Sequence, residues 1–141
     1  MLEIEYKEKL DEELCETFDG EFEKYAVQNG VVCNYAEFSF VAKDDDEIAG
    51  VLTGHSYYNE VHISDLVVFE KFRNKNCGKR LVKAAEDYHQ GKGFKYILLF
   101  TYGFQAPEFY KKCGFQIEHI QEDKENPKLT KYYFIKRFAS E

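Results

Sequence analysis

Six Lys or Arg and no Asp or Glu fall between Lys71 and Lys83, in a chain whose formal charge is −7. This basic island follows an apolar run, Leu66-Val67-Val68-Phe69, and precedes a helical pattern that opens at Gly78. Asn74, Asn76 and Gly78 punctuate it. A strand, a basic loop and a helix N-terminus in that order make an anion site. Unpaired backbone N–H groups point outward there, and the helix dipole favours negative charge. The loop therefore reads as the holder of a phosphorylated cofactor. A second stretch with chemical content is Gln105-Ala106-Pro107-Glu108-Phe109-Tyr110-Lys111-Lys112-Cys113-Gly114-Phe115.

Other chemistries lack their residues. No G-x-x-x-x-G-K-[ST] or G-x-G-x-x-G occurs, and no G-x-S-x-G. His62, Ser64 and Asp65 bring triad residue types together, but on a strand His62 and Ser64 share a face and Asp65 points away. His55, His62, His89 and His119 show no metal-ligand spacing, so no metal is expected. The Asp44-Asp45-Asp46-Glu47 run reads as a turn, since no calcium-loop pattern follows. Cys15, Cys33, Cys77 and Cys113 form no C-x-x-C pair and read as reduced thiols, three of them buried. Cys77 is either a small residue in a tight turn or a thiol whose ionisation the nearby cations favour.

The length of 141 residues fits one domain, 1–141. Aromatics reach 17% without Trp, which predicts a core rich in Phe and Tyr. No apolar run approaches the roughly 18 residues of a membrane span. The first residues are acidic and alternating, unlike a signal peptide. A soluble, cytoplasmic protein is the expectation, with no membrane partner. The negative balance argues against a nucleic-acid groove. Residues 1–30 hold ten Asp or Glu against three Lys. That acidity is either a solvated helix face or the lining of a site for a cationic substrate.

The elements that must position these residues follow from periodicity. Leu2, Ile4 and Tyr6 alternate with charged residues and predict a first strand. Leu14, Phe18, Phe22 and Tyr25 recur at helical spacing, so 11–28 reads as one or two helices, with Asp11 as cap and Gly20 as a break point. Strands are expected over 35–43, 48–58 and 61–69. Gly50 and Gly54 mark bulges or a close backbone approach. The alternation slips by one between Ile63 and Leu66, which a β-bulge resolves. A helix from Gly78 ends at Gly91-Lys92-Gly93. Tyr96 to Phe100 is a continuous apolar run and reads as a strand buried on both faces, completing a βαβ unit. A short helix over 106–112 carries Pro107 in its first turn. Strands over 116–121 and 131–138 form a final hairpin.

These motifs resemble those of the GNAT superfamily, the Gcn5-related N-acetyltransferases. That family has a strand L-x-V followed by R-x-x-G-x-G/A and a helix, and later A-x-x-F/L-Y-x-x-x-G-F. Here the stretches are Leu66-Val67-Val68, Arg73-Asn74-Lys75-Asn76-Cys77-Gly78, and Ala106 through Phe109-Tyr110 to Gly114-Phe115. The element order matches across essentially the whole chain. The resemblance implies an α/β (α+β) fold: a mixed, mostly antiparallel central sheet of six to seven strands with helices on both faces. It implies acetyl-CoA as cofactor, with the pyrophosphate on the N–H groups of Asn74 to Lys79, and with Lys79 and Arg80 as electrostatic support. Leu66, Val67 and Val68 would meet the pantetheine arm, and Ala106 and Phe109 belong to the same cofactor site. Two positions depart from the pattern. Asn76 stands where the family has its first loop Gly, and Asn tolerates the left-handed conformation. Gly103 stands where the family often has Asn.

The family's reaction is direct attack of a primary amine, on a small molecule or a peptide, on the thioester. Tyr110 matches the family's Tyr acid near the sulfur; otherwise it is a packed aromatic at a helix end. His62 occupies the strand position where some members carry a Glu base, and an ordinary imidazole titrates at about 6.5, which suits that work. The alternative for His62 is a strand histidine satisfied locally. Glu21, Glu60, Asp65 or a water chain are further candidates. A rival function is a non-catalytic acyl-CoA-binding regulatory domain on the same fold. An RNA-binding sheet is disfavoured by the pI near 5.2. The aromatic C-terminal hairpin could offer an edge to a homodimer.

Overall fold

The Asp11 carboxylate accepts the Leu14 N–H at 2.8 Å, and helix α1 runs from Glu12–Gln28. Gly20 does not break it. A glycine in a helix interior costs about 1 kcal/mol, too little to undo a four-turn segment with a good cap. Asn29 and Gly30 (φ 73°) close it. The computed structural model describes residues 1–139. It divides into two compact units, Met1–Asn34 and the chain from Tyr35 onward, each described here by itself. The strand expected at Leu2 to Tyr6 is absent, because these residues join no ladder. Alternation marks a face that a strand could bury, but it supplies no neighbour to complete the hydrogen bonds.

The second unit contains strands β1 (Ala36–Asp44), β2 (Glu47–Tyr57) and β3 (Glu60–Val68), then helix α2 (Cys77–His89) and strand β4 (Tyr96–Tyr102). Helix α3 (Pro107–Lys112) and strands β5 (Gln116–Gln121) and β6 (Lys131–Arg137) complete it. The six strands form one sheet in the order β1-β2-β3-β4-β6-β5. All pairs are antiparallel except β3–β4, which flank α2 in the expected βαβ unit. The sheet is thus mixed and mostly antiparallel, as the resemblance implied. The hairpin strand β6 inserts between β4 and β5, which leaves β5 as an edge.

Helix α2 covers one face. Leu81, Val82, Ala85 and His89 are buried against Leu52, Val61, Ile63, Ile97 and Leu99. Each buried aliphatic side chain contributes on the order of 1.5–3 kcal/mol. Gly54 lets two neighbours close in: a Cβ there would overlap the His62 carbonyl and the Phe38 ring. The strand β4 is not buried on both faces, contrary to the reading of its apolar run. Ile97, Leu99 and Thr101 are buried, whereas Phe100 is 50% exposed on the opposite face. The cysteine reading also needs correction. All four are free thiols, but Cys15 and Cys33 are exposed and Cys77 and Cys113 half-buried.

Candidate active site

The bulge expected from the slipped alternation sits at Ser64. Thr53 faces Asp65 while Gly54 faces Ile63, so β3 carries one extra residue. Its consequence appears on the other edge. β3 pairs with β4 only from Glu60↔Tyr96 to His62↔Leu98, and beyond His62 the two strands part. On its other edge β4 stays paired with β6 from Tyr96 to Tyr102. The Phe69 N–H donates to the Ala49 carbonyl at 2.9 Å. By antiparallel alternation Val67 then faces β2, and Leu66 and Val68 turn their backbone groups toward the opening. This is an unpaired strand edge of the kind an extended, amide-bearing arm can use.

The basic loop lies at the end of that edge. Asn74 and Asn76 both adopt left-handed backbone, at φ 65° and 62°. Asn76 is the N-cap of α2 without a side-chain cap bond; its carbonyl accepts the Arg80 N–H at 3.0 Å. No backbone N–H from Asn74 to Lys79 donates a hydrogen bond among the described residues. Six consecutive unpaired donors at a helix N-terminus favour an anion. The six cations of the island have different tasks. Lys71 pairs with Glu47 at 2.9 Å and Lys83 with Asp87 at 2.6 Å. The Arg73 Nε–H donates to the Val68 carbonyl at 3.1 Å, tying the loop to the strand end. Lys75 lies 5.8 Å from the Phe72 ring centre. Lys79 and Arg80 are exposed and have no ion pair among the described residues. They line a groove between α2 and the end of α3 together with Lys112 and Lys136. The Cys77 thiol packs inward, into space that Gly50 leaves open.

The second motif closes on the first. A Cβ on Gly78 would stand 3.1 Å from the Phe109 ring, so glycine there lets α3 seat against the start of α2. The Ala106 N–H donates to the buried Thr101 hydroxyl at 3.3 Å, which hangs α3 from β4. Gly103 has a local reason. Its N–H donates to Thr130 at 2.8 Å, and a Cβ would stand 2.9 Å from the Pro127 carbonyl. Tyr110 is 7% exposed and packed edge-on to Phe109 and Phe115. Its hydroxyl has no protein partner, yet no fully buried side-chain polar atom among the described residues lacks one. The hydroxyl therefore keeps access to solvent at the opening. Burial, with smaller contributions from Cys113 and Asp65, pushes its pKa up to about 12. Burial likewise pushes the Cys113 thiol up.

His62 is the last β3 residue paired with β4, and its ring stands on the face opposite α2. It stacks on His55 (4.8 Å, 7°) and Tyr57 (5.6 Å, 7°), and its Nε2 contacts the Glu60 carboxylate. Burial holds His55 below its ordinary value, and His62 adds to this. Asp65 makes a small electrostatic contribution to Tyr110. The ring stack was missed from sequence. Its only signal was period-two spacing of Tyr57 with His55 and of His62 with Glu60. Also missed was Lys136, which reaches Glu86 at 2.9 Å and the Cys113 carbonyl at 3.0 Å, fastening α3 to α2. Fifty residues separate the ion pair, and no local pattern could show it.

Comparison with known proteins agrees with this geometry. The sequence model of the acetyltransferase (GNAT) family matches residues 6–115. Over 99 residues the chain is 28% identical to blasticidin-S acetyltransferase of Streptomyces morookaense, covering 70% of this chain and 72% of that one. Over 63 residues it is 35% identical to glucosamine 6-phosphate N-acetyltransferase of Arabidopsis thaliana; the match covers 45% of this chain and only 42% of the relative's length. A crystal structure of an acetyltransferase from Bacillus cereus superposes with a TM-score of 0.76 at 29% identity, over 95% of this chain and 98% of that one. An aminoglycoside 6'-N-acetyltransferase solved with coenzyme A has the same fold, at a TM-score of 0.65 and 19% identity over 74% of each chain. The splayed β3–β4 pair, the basic loop before α2 and the Phe109-Tyr110 motif are thus features of a chain that belongs to the GNAT family of acetyltransferases.

Proposed function

We propose that this chain forms a single acetyltransferase domain that moves an acetyl group from acetyl-CoA to a primary amine by direct attack. The carrying observation is that two sets of free backbone groups meet: the N–H groups of Asn74 to Lys79 and, where β3 has left β4, the edge formed by Leu66 and the Val68 N–H. Pyrophosphate on the first and pantetheine along the second would bring the thioester toward His62 and Tyr110. The Lys79 and Arg80 charges support the phosphates. His62 takes the proton of the substrate ammonium. The amine then attacks the carbonyl carbon, the C–S bond breaks, and sulfur leaves beside the Tyr110 hydroxyl. A phenol at about 12 does not surrender its proton to a thiolate whose acid ionises at about 8.5. Tyr110 therefore stabilises the leaving sulfur as a hydrogen-bond donor.

The relatives named for aminoglycoside, blasticidin-S and glucosamine 6-phosphate act on small amine-bearing molecules, which supports an acceptor of that class. Glu37 and Glu60 beside the ring stack favour a cationic one. With this reading goes a cytoplasmic location, where four free thiols stay reduced. Titration calorimetry with acetyl-CoA, followed by acetylation kinetics over spermidine, kanamycin, a lysine peptide and free amino acids, tests the reading. Tight binding with turnover of the cationic amines is expected. Preference for the amino acids would overturn the cationic acceptor, and binding without any turnover would favour the regulatory rival.

A further inference from the structure

The ring stack on the face opposite α2 contains a carboxylate that the reaction above does not use. We propose that Glu60 is a positioning residue: it fixes the tautomer and plane of His62 so that Nδ1 is the nitrogen that accepts the proton from the substrate ammonium. This inference rests on the reading of His62 as the base.

Glu60 and His62 are two residues apart on β3 and therefore share a face. The Glu60 Oε2 contacts the His62 Nε2, and both side chains are only about a quarter exposed, at 23% and 26%. An ionised carboxylate accepts and never donates, so the ring places its N–H on Nε2 and its lone pair on Nδ1. The stack then fixes the ring plane. His55 lies directly opposite His62 across the β2–β3 ladder, at 4.8 Å and 7°. Tyr57 adds a second parallel ring at 5.6 Å, and it is itself 5.7 Å from His55. The Ser64 hydroxyl lies 3.4 Å from His55 Nδ1 and holds that ring from the bulge. The His62 ring has parallel neighbours in His55 and Tyr57 and a carboxylate at Nε2, so it loses little rotational freedom when it meets a substrate, which favours proton transfer.

The charges around the pair have consistent roles. Glu37 on β1 and Glu60 on β3 favour positive charge on His55, and His62 opposes it. Tyr96 on β4 faces Glu60, and Arg137 of β6 lies 6.0 Å over the Tyr96 ring. Burial holds His55 below its ordinary value, so it takes a proton less readily than a solvated imidazole. The proton leaves the ammonium nitrogen for His62 Nδ1, the imidazolium forms against Glu60, and the freed lone pair attacks the thioester carbon. The second nitrogen-bound proton is released as the C–S bond breaks, and the departing thiolate takes up a proton, giving the amide and free thiol.

The test uses the full chain labelled with 15N-histidine. Long-range 1H–15N spectra at neutral pH should show His62 as the Nε2–H tautomer. In Glu60→Ala the ring should become a tautomer mixture. In Glu60→Gln, whose amide oxygen still accepts, the tautomer should persist. An Nδ1–H tautomer in the parent, or spectra unchanged by Glu60→Ala, would overturn the proposal. Initial rates with acetyl-CoA and spermidine separate it from the reading beneath it. His62→Gln should lower kcat roughly 100-fold and Glu60→Ala roughly tenfold with little change in KM. If the spectra behave as expected but His62→Gln retains full turnover, the base assignment fails and the positioning geometry stands without a catalytic task.

Discussion

The basic loop and the ring stack lie at the two ends of the unpaired β3 edge, and they are built in different ways. The loop is a backbone device. Its donors are main-chain N–H groups, its shape comes from two left-handed asparagines, and among the described residues only Lys79 and Arg80 of its six cations lack an ion pair or a hydrogen bond to the protein and stand free of an aromatic ring. The ring stack is a side-chain device, in which Glu60, His62, His55 and Tyr57 are aligned by the register of three strands. The contrast teaches that binding an invariant cofactor needs little from side chains. Handling the proton of an acceptor depends on which side chains the sheet happens to align.

The comparison breaks first at Tyr110, the residue on the α2 face that reaches the opening. Tyr110→Phe should lower kcat about 100-fold while leaving acetyl-CoA affinity and thermal stability nearly unchanged, because the hydroxyl has no protein partner to lose. Stopped-flow or steady-state kinetics beside a calorimetric titration checks this. Unchanged turnover would make Tyr110 a packing residue only.

Charge reversal at Lys79 and Arg80 comes next. The double variant should bind acetyl-CoA at least about tenfold more weakly at low salt, with the difference shrinking as salt rises. Unaltered affinity would remove the loop from the cofactor site and leave the ring stack without its counterpart.

A smaller effect concerns His89, the buried histidine of α2. His89 is 3% exposed, its Nδ1–H donates to the Ala85 carbonyl at 2.7 Å, and burial holds it below its ordinary value. Its ring is neutral in both states above about pH 6.5, so its contribution to stability is fully present there. Below that the unfolded chain binds the proton first, and stability falls until the folded-state value is reached. Urea midpoints should drop over this window, and His89→Leu should flatten the dependence whatever its effect on absolute stability.

The smallest change concerns Asn76. The left-handed conformation costs a non-glycine residue on the order of 1 kcal/mol, and less for Asn. Asn76→Gly should therefore raise stability by a few tenths of a kcal/mol and tighten acetyl-CoA binding a few-fold, read by calorimetry. Weaker binding would mean that the Asn76 side chain itself contacts the cofactor.

Much of the loop was legible because its signals are local. Asn at left-handed positions, Gly78 where a Cβ would meet Phe109, and the helical stripe that follows all lie within a short span. The β3 bulge was legible for the same reason, since a slipped alternation is visible in one strand. Failures came where a neighbour decides. Leu2 to Tyr6 has the pattern of a strand but no partner. Phe100 belongs to an apolar run, yet the sheet turns it outward.

What the sequence determined by itself was the order of elements from α1 onward, the basic loop before α2, and the motif that ends in Phe109-Tyr110. These depend on propensity, capping and the conformational reach of Asn and Gly, all properties of adjacent residues. What only the tertiary structure decided was that β3 leaves β4 at His62, and that His55, Tyr57 and Glu60 surround the ring left there. The Lys136–Glu86 clamp across fifty residues is of the same kind. Cross-strand register is set by the packing of the whole sheet against α2, and no single stretch of sequence carries it.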